Sequence, residues 1–100
     1  MAFPNHAHPT EVRIITKLIK RALKAGYLVS VFDGMEWALK FSNDFEAITA
    51  EVHATDVTEL TIRHADKSKV GWIMLVHGNE DDVVSDWTDN AATNALVEGN

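Results

Sequence analysis

One hundred residues, 46% hydrophobic and 24% charged, are enough for one domain around one core, and that balance excludes a disordered chain. The lack of cysteine excludes a disulfide framework and a thiolate zinc site, and the longest apolar runs are too short for a membrane span. A formal net charge of −6 opposes approach to phosphate backbones, so nucleic acid is an unfavoured partner.

Residues 1–9 (MAFPNHAHP) lack a cationic start followed by an apolar stretch, so they read as a flexible N-terminal segment and not a secretory signal. A reducing cytoplasm is the expected setting. Thr10 is placed to cap a helix over roughly 10–25, with Glu11 in its first turn. Val12, Ile15, Leu18, Ile19, Ala22 and Leu23 recur at helical spacing, and Gly26 stops the helix. Its other side carries Arg13, Lys17, Lys20, Arg21 and Lys24, five cations against the single carboxylate of Glu11.

Residues 27–41 read as a hairpin turned by Asp33-Gly34 in a two-residue type I′ turn. That turn pairs Phe32 with Met35, Ser30 with Trp37 and Leu28 with Leu39. The face bearing Leu28, Phe32, Met35, Trp37 and Leu39 is expected to be the core face. A second helix over about 44–53 follows, with Asn43 and Glu46 at capping-box spacing and Phe45, Ile48 and Val52 along one stripe.

Residues 58–64 and 70–77 read as a second strand pair, in which Ile62 faces Trp72 and Leu60 faces Met74, both on the core face. Trp37 and Trp72 are thus expected under the helices, with Phe32 beside them. In 80–100, an acidic segment, Val83, Val84 and Trp87 want burial, and 91–97 has enough apolar residues for one or two helical turns. The order αββαββ predicts an α+β fold, an antiparallel sheet of about four strands with two helices on one face. Tyr27, Val29, Val31, Ala38, Ile73 and Leu75 then form an apolar patch on the other face, to be covered by the acidic segment or by a second copy of the chain.

No motif carries chemistry. His6 and His8 are two ligands where a metal site needs three or four. Glu80-Asp81-Asp82 lacks the alternating oxygen donors of a calcium loop, so it reads as a solvated helix start. His64 and His77 end strands and His53 ends a helix, structural places for each. Ser30 and Ser85 sit in no nucleophile elbow. Gly26, Gly34, Gly71 and Gly78 lie too far apart to cradle a phosphate. No cofactor, metal or catalytic residue is expected.

The combination AGYLVSVFDGMEW, SNDFEAI, VGWIMLVHGN and VVSDWTDN, spanning about 25–90, resembles a family of small uncharacterised proteins of tailed phages and prophages. The resemblance implies an accessory protein acting in a bacterial host's cytoplasm, with a host protein, including one of host defence, as the partner. The leading expectation is a non-enzymatic interaction protein. A small enzyme with a site outside known motifs, or a nucleic-acid binder using the first helix, are the alternatives. The cation stripe Arg13, Lys17, Lys20, Arg21 and Lys24 is the expected partner-binding surface. Its counterweight, the acidic C-terminal segment, is placed on the opposite sheet face, beyond a Debye length of about 8 Å.

Overall fold

The computed structural model of the protein describes residues 8–52 and 56–98. His6, His53 and the expected flexible segment up to residue 7 lie outside them. The chain runs α1 (Pro9–Lys24), β1 (Leu28–Phe32), β2 (Trp37–Ser42), α2 (Phe45–Glu51), β3 (Val57–Arg63), β4 (Lys69–Val76), a 3-10 turn at Glu80–Asp82, β5 (Val84–Trp87) and α3 (Ala91–Glu98). The fold is α+β, and the five strands form one antiparallel sheet in the order β2-β1-β3-β4-β5. The C-terminal segment thus supplies a fifth strand and a third helix beyond the four strands and two helices expected.

The cap of α1 is His8, not Thr10. Its Nδ1 accepts from the Thr10 N–H at 3.2 Å, and Pro9, which has no N–H to satisfy, takes the first helical position. At the other end Gly26, at φ 86°, lets Tyr27 N–H reach the Ala22 carbonyl and its own N–H reach Leu23, a closure that favours glycine. In α2 the cap is Asp44, one residue past the expected Asn43, and its carboxylate accepts from Glu46 N–H.

Asp33-Gly34 does turn the hairpin, but through a four-residue loop. The Asp33 carboxylate accepts from the N–H groups of Met35 and Glu36, both at 2.9 Å, and Asp33 N–H closes on the Glu36 carbonyl. This side-chain turn overrides the two-residue one, and the observed pairs are Phe32–Trp37, Val31–Leu39 and Val29–Ser42, with two register shifts. Between β3 and β4 the register is one residue from that expected: Ile62 faces Gly71 and Leu60 faces Ile73.

These shifts matter because side chains alternate across a sheet, so one residue exchanges the faces. All three helices pack on the face carrying Val29, Val31, Leu60, Ile62, Ile73 and Leu75, each fully buried with Ile15, Leu18, Ile19, Ala22, Ile48 and Val52. Val83 and Leu96 complete the same core. The C-terminal segment therefore lies on the α1 side, not on the face opposite the helices, and there it shares with them the covering of the patch it was expected to cover. The set Leu28, Phe32, Trp37, Trp72 and Met74, expected as core, lies on the other face.

Candidate binding face on the open side of the sheet

The face away from the helices is built by backbone pairing. Phe32, Glu59, Met74 and Asp86 lie side by side across four strands, as do Ser30, Thr61 and Trp72 across three. Phe32 and Trp37 pair at the β1–β2 edge, their rings edge-to-face with centroids 5.1 Å apart. Among the described residues no element covers this face. Trp37 is 40% exposed, Phe41 37%, Val57 36%, and Met35 at the hairpin tip 88%. So much accessible apolar and aromatic surface on one side of a small domain is a feature of interaction surfaces.

Two clefts flank the Phe32–Trp37 pair. The larger, of about 240 Å³, is lined by Ser30, Trp37, Lys40, Phe41 and Arg63. The smaller, of about 160 Å³, is lined by Phe32, Gly34, Val57, Glu59 and Met74. In a regular strand Lys40 and Phe41 would point to opposite faces, yet both line the larger cleft. The cause is local. The β1–β2 register shifts here, and Phe41 sits at φ 52°, a left-handed conformation that costs a bulky side chain roughly 1–3 kcal/mol. Its N–H is held by the Ser30 hydroxyl oxygen at 2.9 Å. Ser30, only 3% exposed, is thus the floor of the cleft.

Charge divides this face into two ends. Arg63 and Lys67 both approach the Phe41 ring, with the guanidinium carbon 5.5 Å and the ammonium nitrogen 5.0 Å from its centroid. Lys69 pairs with Arg63 across the strands. Lys40, Arg63 and Lys67, three of the four cations outside α1, therefore gather at the larger cleft. Asp66, in the adjoining loop, is engaged locally: its carboxylate accepts from the hydroxyl and N–H of Ser68, which hold it below the ordinary carboxylate range. At the other end stand Glu59 beside the smaller cleft and Asp86 opposite Met74.

The stripe on α1 is brought together only in part. Arg13, Lys17, Lys20 and Lys24 are exposed, and Lys20 lies 5.3 Å over the Phe45 ring. Arg21 is half-buried and donates from Nη1 to the Leu96 carbonyl at 2.9 Å, so it fastens α3 to α1. A cleft of about 410 Å³ opens there, lined by Arg21, Lys24, Tyr27 and the first turns of α3.

Glu11, read from the sequence as a helix-dipole residue, is buried to 1% exposure. Its carboxylate accepts from the N–H groups of Gly78 and Glu80, at 3.1 and 2.9 Å. His77 Nδ1 stands 3.8 Å from it, and His77 Nε2 shares a 2.7 Å hydrogen bond with the Thr58 hydroxyl. Carboxylate, imidazole and hydroxyl in this order have the connectivity of a hydrolase triad. Thr58, however, is 1% exposed, so no substrate reaches the hydroxyl and the set serves as a brace between α1, β3 and the end of β4. His8 Nε2 comes within 3.7 Å of Glu80, and among the described residues no three metal-ligating side chains converge. Among the same residues no helix is long and apolar enough to cross a membrane.

Sequence reasoning passed over the larger cleft because it put Lys40 and Trp37 on opposite faces. The available signal was that Lys40, Arg63, Lys67 and Lys69 are the only cations outside the first helix, and that one of them adjoins Phe41. Compared with protein-family models, curated proteins and solved structures, the chain matches none.

Proposed function

We propose that the chain is a non-enzymatic interaction protein that docks a protein partner on the open face of its sheet. The observation that carries this reading is the aromatic set Phe32, Trp37, Phe41 and Trp72 on a face that no described element covers, with Met35 projecting beside it. Exposed Trp37 and Phe41 beside half-buried Phe32 and Trp72, with separated charges around them, match the centre and rim of a protein interface. A nucleic-acid strand is disfavoured, because the net charge of −6 and Glu59 and Asp86 on the same face repel a run of phosphates. The resemblance to small phage and prophage proteins supplies the proposed setting, a bacterial cytoplasm with a host protein, including a defence component, as partner.

The α1 stripe is the second reading, supported by the exposure of Arg13, Lys17 and Lys24. Site-specific photocrosslinking in bacterial cells separates the two. A benzophenone amino acid at Met35 is expected to yield one discrete protein adduct that the same group at Ala50, exposed on α2, does not yield. An adduct from position 17 alone would transfer docking to the stripe. An adduct of twice the chain's mass would make the partner a second copy. Equal, diffuse labelling from every position would end the proposal.

A further inference from the structure

We infer that the larger cleft is an anchor for a carboxylate-bearing side chain of the docked partner, with an adjoining flat apolar group seated against Trp37 and Phe41. This rests on the open face being the docking surface and names the chemistry recognised there. Three observations converge. First, the cleft combines the aromatic rings of Trp37 and Phe41 with the cations Lys40 and Arg63 and a buried hydroxyl, Ser30, within about 240 Å³, room for one side chain and not for a nucleotide run. Second, Arg63 has donors to spare. One Nη1 N–H goes to the Lys67 carbonyl at 2.9 Å, while its Nε is buried with no hydrogen-bond partner among the described residues. A guanidinium carries five N–H groups in a planar fork suited to a carboxylate. Third, the bulged, left-handed Phe41 is what brings Lys40 and the ring to the same side, and such strain persists only where the surroundings hold it in place.

The opposite end of the face argues for a local anion over a polyanion. A nucleic-acid strand long enough to use both Trp37 and Trp72 would run toward Glu59 and Asp86. A peptide needs its carboxylate only at the cleft and can present neutral or basic groups to Glu59.

The test uses the whole protein, with backbone, Trp indole and Arg Nε–H signals followed by two-dimensional NMR. Phenylacetate is the probe that joins a ring to a carboxylate. Acetate offers the charge alone, benzyl alcohol the ring alone, and octathymidylate the nucleic-acid alternative. Phenylacetate is expected to shift Trp37 Nε1–H, Arg63 Nε–H and Phe41 N–H saturably, at roughly millimolar Kd for so small a ligand, and at least tenfold more tightly than benzyl alcohol. Arg63→Gln should weaken it about tenfold or more, and Lys40→Gln, at an exposed position that leaves the fold intact, by a few-fold.

Equal binding of phenylacetate and benzyl alcohol, or binding indifferent to both substitutions, would overturn the carboxylate anchor. Tighter binding of octathymidylate, with shifts extending to Trp72, would replace it by a nucleic-acid site. If phenylacetate fails while the Met35 crosslink persists, the anchor is wrong and the docking face stands. If the anchor binds and the crosslink is absent, the open face serves a small carboxylate ligand and not a protein.

Discussion

Truncating Ile73 to Ala is expected to cost about 2–5 kcal/mol, because its side chain is fully buried on the helix-covered face and its removal adds a cavity to the lost transfer energy. Trp37→Ala removes a larger side chain, yet one that is 40% exposed, so its cost is expected to stay near 1 kcal/mol. Urea unfolding of the two variants checks the assignment of faces, and a larger loss for Trp37 would reverse it. A second residue-scale expectation concerns acid. The N–H groups of Glu36 and Met35 lower the Asp33 pKa, so the carboxylate form is the one the loop holds. Its contribution is complete above the ordinary carboxylate range and is lost as pH falls through the depressed folded value. The amide signals of Met35 and Glu36 should therefore move with a midpoint below the usual aspartate value of about 3.9. A midpoint at or above it would mean that the side-chain turn does not persist in solution.

At the scale of elements, the docking of α3 on β4 depends on the missing side chain of Gly71. A Cβ there would lie 2.7 Å from Thr93 Cγ2 and 3.2 Å from Thr88 Cβ. Thr88 pairs with Trp72 in both directions, and Asn90 reaches the Val70 carbonyl, so the helix cannot simply move off. Gly71→Ala should lower stability by about 1–3 kcal/mol through overpacking, with amide shift changes concentrated in residues 88–98. A stability equal to the parent's would show that α3 stands further from the sheet. The elements themselves were largely legible. Helical spacing and Gly26 marked α1 to within a residue, and the hairpin and strand pair fell where apolar runs met turn residues. Their facing was not legible, because β1 and β4 are apolar on both sides, so alternation gives the two faces but not which one the helices take. Valine, leucine and isoleucine fill that layer, while the two-residue turn, by setting Glu36 and Lys40 on the same face as Val29 and Val31, favoured the wrong one. The four-residue β5, half exposed, had too short a pattern to register.

For the whole molecule, charge segregation was visible in the composition, but its geometry was not. The acidic segment, expected across the sheet, returns to the α1 side because Val83 and Leu96 belong to the same core as Ile15 and Ile19. The candidate cleft needs the bulge that turns Lys40 and Phe41 to one side, and that depends on pairing between strands, which local pattern does not report. The Glu11 brace was equally hidden, since its partners are 67 and 69 residues distant. That distance sets a schedule for synthesis. A nascent chain emerges N-terminus first, so α1 leaves the ribosome with an anionic side chain destined for the interior and nothing yet to receive it. The amides of Gly78 and Glu80 arrive only after four of the five strands. Burying an unpaired carboxylate costs several kcal/mol, so α1 cannot settle on the half-made sheet in its final seat. The seat of α1 is thus complete only once the turn after β4 has been made.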